Sequence, residues 1–148
     1  MSAIKQRLND DVKVAMRNKD KDRLLTLRMI LAAIKQKEVD ERIDLDDSQV
    51  LAVLDKMAKQ HRDSIAQYQK AGRDDLVTKE NHELDIVQEY LPSQLGDDEI
   101  QALIQDAIKA TGATSMQDMG KVMAEIKPKA QGRTDMGKLS GLVKAALN

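Results

Sequence analysis

The sequence predicts an all-α protein, a bundle-like N-terminal helical domain followed by a small C-terminal helical domain, and three observations carry that expectation. Apolar residues recur at steps of three and four along most of the chain. Aromatic residues make up 1%, two tyrosines with no Phe or Trp. Val and Ile are dispersed among Leu, Ala, Lys and Glu instead of alternating with polar residues, so no segment reads as a strand.

Ile4, Leu8, Val12 and Met16 mark a first helix that breaks at the charged run "RNKDKDR". Asp20 or Asp22 can cap a second helix, whose face Leu24, Leu27, Leu31 and Ile34 is widened by Leu25, Ile30 and Ala33, which predicts a well-buried helix. Asp44 to Asp47 lead into a third helix with the seam Leu51, Leu54, Ala58, His61, Ile65 and Tyr68. Gly72 stops it, and Leu76, Leu84, Val87 and Leu91 carry a fourth helix up to Pro92. "LPSQLGDDE" then combines a proline break with turn residues and an acidic helix start, which places the domain boundary between residues 92 and 93: 1–92 and 93–148. Ile100, Leu103, Ile104, Ala107 and Ile108 form a fifth helix ended by Gly112. Ser115, with Asp118 at its third helical position, is expected to cap a short helix ended by Pro128 and Gly132, and Thr134 or Asp135 to open the last one.

Composition excludes several functions. The chain has 148 residues, 33% charged, with a formal net charge of -1 and no cysteine. Disulfides, thiolate metal sites and cysteine nucleophiles are therefore ruled out, and a cytoplasmic location is expected. The start "MSAIKQRLNDDVK" has no apolar signal run, so no export is expected. "MILAAI", the longest apolar run, is far below the roughly 20 residues that span a bilayer, so no membrane association is expected. With so few aromatic rings there is no platform on which bases could stack.

"GRTDMGKL", Gly132 to Leu139, has the glycines and lysine of a phosphate-binding P-loop. Leu139 stands where the Mg²⁺-binding hydroxyl belongs, and no strand precedes the loop, so the P-loop reading fails. The stretch is instead half of an echo: "DMGKVMAEIK", Asp118 to Lys127, aligns without a gap with "DMGKLSGLVK", Asp135 to Lys144. Both copies fall at expected helix starts, where unpaired N–H groups and the dipole attract anions, glycine admits a close approach and lysine adds charge. Charge is segregated in the same sense. From Lys121 onward six cations face two anions, and residues 1 to 42 carry eleven against seven. The alternative for the echo is that its lysines form a solvated face and its glycines serve helix packing.

Other residues have plainer readings. "HELDI" has Ile86 where a zinc protease motif needs a second histidine. His61 in an apolar seam reads as a hydrogen-bonded core histidine, and Met116, Met119 and Met123 as core fill or a docking stripe. Arg28 interrupts the most apolar helix, which predicts a buried ion pair with the third or fourth helix, with a phosphate contact as the alternative.

"DMGKVMAEIKPKAQGRTDMGKLSGLVKAAL" resembles the tail shared by the YqeY proteins and the B subunit of the glutamine-dependent tRNA amidotransferase. "TLRMILAAIKQKEVDER", "KQHRDSIAQYQKAGRDDLVTKE" and "EYLPSQL" are similar to the N-terminal helical region of standalone YqeY proteins, so the resemblance covers essentially the whole chain. It implies a small helical C-terminal domain that contacts tRNA in the amidotransferase. It places Gly120, Lys121, Pro128, Lys129, Gly132, Arg133, Gly137 and Lys138 at signature positions. Ala124 departs from the family's common glycine, and "GRTDMGK" is longer than the usual "GRADGK".

The expected function is a binding protein for tRNA or for a tRNA amidotransferase, making phosphate contacts through Gly120, Lys121, Lys129, Gly132, Arg133, Gly137 and Lys138, with Arg28 as a secondary contact. No complete active site, cofactor or metal is expected, because neither a glutaminase nucleophile nor a nucleotide loop is visible. Two alternatives stand beside it: a helical adaptor for a protein partner, and an accessory subunit of a glutamine-dependent carbon–nitrogen ligase.

Overall fold

The computed structural model describes residues Ser2–Asn148 and contains helices and no strand among them. Seven α-helices follow one another: α1 (Ala3–Arg17), α2 (Lys21–Glu41), α3 (Asp47–Lys70), α4 (Asp74–Gln88), α5 (Asp97–Thr111), α6 (Met119–Ala130) and α7 (Met136–Leu147), with a 3₁₀ turn at Met116–Asp118 before α6. The chain divides into two compact units, Met1–Leu91 and Pro92–Asn148.

In the first unit the helix ends are set by side chains the sequence supplies. Ser2 caps α1 by accepting from Lys5 N, and Asp20 caps α2 by accepting from Arg23 N. Asp46 and Gln49 form a reciprocal capping box on α3. Gly72 takes φ 69°, the left-handed geometry that ends α3 and that a side chain would strain. α3 and α4 form the most extensive helix pair, and α1 and α2 pack against each other and against that pair. The core is Leu8, Leu27, Ile30, Ile34, Val50, Leu54 and Val87 with their neighbours.

Polar links fasten this unit. Lys5 Nζ reaches Glu38 Oε2 at 2.6 Å, and the same oxygen accepts Leu45 N at 2.9 Å. The Lys5 hydrogen bond, then the one from Leu45, holds the Glu38 carboxyl below its usual range. Asp47, at the start of α3, accepts from Ser2 Oγ and from Ile4 N, tying α3 to the start of α1. Tyr90 donates its hydroxyl to Asp11 while Arg7 stacks over the ring at 4.5 Å. Burial first, then the Asp11 hydrogen bond, pushes the Tyr90 hydroxyl well above its ordinary pKa.

Several local expectations are corrected. α2 is not buried all round: Leu25 is 56% exposed, Met29 41% and Val39 59%. Its apolar residues surround the axis, and only one side finds helices to cover it. The buried line of α3 is Val50, Val53, Leu54, Ala58 and His61, while Leu51, Ile65 and Tyr68 are half-buried. α4 ends at Gln88, and Leu91 lies in the turn beyond it.

The second unit packs Ile100, Ile104, Val122, Ile126, Leu139 and Val143 of its three α-helices into one aliphatic core. Met116, Met119 and Met123 are half-buried against it, so they fill core space and do not form a free stripe. Ser115 makes no capping hydrogen bond; Asp118 instead accepts Thr114 N at 2.9 Å. Pro128 lies inside α6, which continues to Ala130. The carbonyl deprived of its N–H partner belongs to exposed Ala124, where water can satisfy it.

Candidate functional site

The internal echo opens a helix twice in the same register. Asp118 and Asp135 occupy the N-cap positions of α6 and α7, so Met119 and Met136, Gly120 and Gly137, and Lys121 and Lys138 fall in turn at the first three helical positions. One residue on, Val122 and Leu139 are fully buried. The buried residue therefore fixes each helix's rotation and turns glycine and lysine outward.

On α6 the outward residues are Gly120, Lys121, Ala124 and Lys127; on α7 the equivalents are Gly137, Lys138, Gly141 and Lys144, and all eight are exposed. A Cβ added at Gly120 or Gly141 would meet nothing within 4 Å. These glycines are thus not required by packing inside the unit. Each helix presents a low ridge of small residues flanked by lysines, a surface that an extended anionic chain can approach closely.

The two starts differ in electrostatics. The Asp135 carboxylate accepts from Gly137 N at 2.9 Å, occupying one of the orphan donors of α7. A Cβ at Gly137 would lie 3.3 Å from that carboxylate oxygen, so this glycine makes room for the cap. Asp118 turns away from its helix towards Thr114 N, and that hydrogen bond is the first cause of its lowered pKa. No side-chain cap covers the start of α6, where the 3₁₀ turn runs straight into the helix and Met119 N donates to Met116 O.

The remaining expected residues divide by role. Gly132 takes φ 78° in the turn after α6, a backbone geometry that favours glycine. Arg133 is committed to the fold: its Nε donates to Ser93 O at 2.9 Å, and its backbone O accepts Leu95 N at 2.8 Å. Its guanidinium also lies 3.9 Å from Glu99. Lys129 is exposed in a loose pair with Glu125 at 3.9 Å, and Lys138 lies 3.8 Å from Asp97. Arg28 is exposed and forms no ion pair among the described residues, which corrects the expected buried pair. The burial argument failed because Arg28 lies on the uncovered side of α2, beside Leu25 and Met29.

Seven cations face seven anions between Pro92 and Asn148, because Asp97, Asp98 and Glu99 at the start of α5 offset the basic α6–α7 segment. The local lysine faces, and not a net charge, are what this unit offers an anion.

The family model for Yqey-like proteins matches residues 5–147. The chain belongs to the YqeY family. Related YqeY-like proteins include "Altered inheritance of mitochondria protein 41, mitochondrial" of Vanderwaltozyma polyspora, 34% identical over 119 residues, which are 76% of this chain and 64% of that protein. The protein of the same name in Pyrenophora tritici-repentis is 36% identical over 130 residues, 84% of this chain and 71% of that protein. In Kluyveromyces lactis the match is 43% over 84 residues, covering 56% of this chain and 45% of that protein. The chain thus spans between 45% and 71% of the length of these relatives. Their names overturn the cytoplasmic location expected from the sequence, since these relatives are mitochondrial proteins. Lack of cysteine bears on disulfide chemistry and does not distinguish the cytoplasm from another reducing compartment.

Sequence reasoning missed one constellation. Glu80 and Glu83 of α4 both face His61 of α3. Their i, i+3 spacing was the available signal, but it needed the α3–α4 pairing to bring it opposite the histidine.

Proposed function

We propose that this YqeY-family protein binds tRNA through its C-terminal unit, gripping the phosphate backbone with the outward faces of α6 and α7. The observation that carries this reading is the repeated exposure of Gly120 with Lys121 and Lys127, and of Gly137 and Gly141 with Lys138 and Lys144, none of it demanded by the core. Phosphate recognition needs donors and cations on a surface low enough to follow a backbone, and it does not need the aromatic platforms this chain lacks. The resemblance of the tail to the amidotransferase B subunit supports tRNA as the nucleic acid and an amidotransferase as the setting. Gly132 and Arg133 serve the turn that holds the faces in place, and Lys129 is a peripheral contact.

The test is a salt titration of tRNA binding. Lys121→Glu, Lys127→Glu, Lys138→Glu and Lys144→Glu combined should abolish most binding and leave helix content unchanged. The unmodified protein should show a log–log salt slope near -3, given about -0.7 to -0.9 per phosphate contact. Undiminished binding in the fourfold variant, or no binding at low salt, overturns the reading.

A protein adaptor is the second reading, and one observation favours it: the uncovered apolar side of α2, with Leu25, Met29 and Val39 beside Arg28. Pull-down with and without ribonuclease separates the two. Partners retained after digestion and lost on Leu25→Lys support the adaptor.

A further inference from the structure

Far in sequence from the lysine faces, three side chains in the first unit meet in an arrangement that hydrogen bonding leaves incomplete. His61 of α3 points Nδ1 towards α4, where Glu80 Oε2 lies 2.6 Å away and Glu83 Oε2 3.7 Å away. His61 and Glu83 are buried and Glu80 is half-buried. One ring nitrogen carries at most one proton, and carboxylates only accept. At 2.6 Å that proton serves Glu80.

Glu83 is then left with little. It is 7% exposed, accepts no hydrogen bond among the described residues, and has His61 at 3.7 Å as its ion-pair partner. Its oxygens thus keep unused acceptor capacity beside a ring nitrogen already engaged by another carboxylate. A divalent cation would satisfy both carboxylates and the ring nitrogen together.

We propose that His61, Glu80 and Glu83 form a divalent metal site, with Zn²⁺ as the ion it fits best. One imidazole nitrogen and two carboxylate oxygens are ordinary zinc ligands, and the three ligand atoms lie within 4.8 Å of one another. Ligands about 2.1 Å from a tetrahedral ion stand about 3.4 Å apart. The Nδ1–Glu83 separation already approximates this, and Glu80 has to withdraw by less than 1 Å as its hydrogen-bonding proton is displaced. Glu80 is the least buried of the three, so it is the ligand with room to move. A cleft of about 410 Å³ between α2 and α4 reaches Glu83, whereas His61 and Glu80 do not line it. Such a site would cross-link α3 to α4, the most extensive helix pair of the unit.

The experiment uses the full chain after chelator treatment, titrated with ZnCl₂ by calorimetry. One Zn²⁺ per chain is expected. Glu80→Gln, Glu83→Gln and His61→Asn should each weaken binding by about tenfold or more, whereas His82→Ala, at an exposed neighbour, should leave it unchanged. Because His61 is buried and its substitution can disturb packing, the unmodified protein supplies a second readout: Zn²⁺ should shift the ring resonances of His61 and leave those of His82 in place. Absence of a one-to-one isotherm overturns the proposal. So does an isotherm that survives all three ligand variants, or a spectrum in which His82 responds in place of His61.

Discussion

The two units use charge in opposite ways. In Met1–Leu91 several charged side chains are spent on the fold: Lys5 on Glu38 at 2.6 Å, Arg23 on Glu89 at 2.8 Å, His61 on Glu80, and Asp11 on Tyr90. In Pro92–Asn148 an aliphatic core carries the fold almost alone, and the lysine pairs are long and exposed, 3.9 Å for Lys129 and 3.8 Å for Lys138. Exposed pairs at such distances contribute little to stability. Cations that stabilise little remain available to a ligand, which is why the proposed binding surface is placed on the second unit although its charges balance.

Breaking the cores should produce the largest effects and the clearest contrast. Ile30→Ala and Ile126→Ala each remove a fully buried side chain and should cost about 2–5 kcal/mol. At about 0.05–0.15 kcal/mol per residue, the second unit has roughly 3–9 kcal/mol to lose and the first roughly 5–14. Ile126→Ala should therefore unfold its unit at moderate temperature while Ile30→Ala only lowers a melting point. Hydrogen exchange read segment by segment checks this; equal sensitivity would mean the two units unfold together.

Next in size is Tyr90→Phe, expected to cost about 1–3 kcal/mol in denaturant melts, because Asp11 loses its donor. The substitution of a lysine in α6 or α7 by alanine has no such penalty, and a comparable loss there would erase the contrast.

Acidity sharpens the comparison further. Glu38 has a folded pKa below its unfolded value, about 4.3 for a free glutamate, so its stabilisation is complete above that value and is lost as pH falls through the lower folded pKa. Melting temperature should thus decline below about pH 4.5, and Glu38→Gln should flatten that decline while lowering stability at neutral pH.

Smaller and more diagnostic is Gly120→Ala. With open space over its Cβ it should stabilise α6 by about 0.5–1 kcal/mol, yet weaken tRNA binding if the ridge is kept low for a backbone. Asp97→Asn should tighten binding modestly by releasing Lys138. A gain in stability with no change in affinity would return Gly120 to the role of an ordinary surface residue.

Helix existence was legible because the apolar period is local, and the caps at Asp20 and Asp135, which act within three residues, were each one of two candidates the sequence offered. The echo was legible too, since alignment alone places Gly120 with Gly137 and Lys121 with Lys138. What failed depends on neighbours remote in sequence. Leu25 is apolar but has no helix over it, and the buried line of α3 turns to Val50 and Val53 because α1, α2 and α4 all pack against it. Arg133 is expected to contact phosphate because arginine's charge shows in a sequence, and the structural role added by its hydrogen bond to the carbonyl of Ser93, forty positions away, does not show there. Glu83 is a core residue for the same reason: burial of a carboxylate opposite His61 is decided by the pairing of α3 with α4.

The placement of Tyr90 reaches into how the molecule can be observed. The chain's two tyrosines, Tyr68 and Tyr90, both lie before Pro92, and it has neither Trp nor Phe. Near-ultraviolet absorbance, intrinsic fluorescence and near-ultraviolet dichroism therefore report on Met1–Leu91 alone, chiefly through the ring clasped between Arg7 and Asp11. The half that carries the lysine faces is optically silent. A tyrosine-monitored melt would describe a protein as intact while α6 and α7 had already come apart.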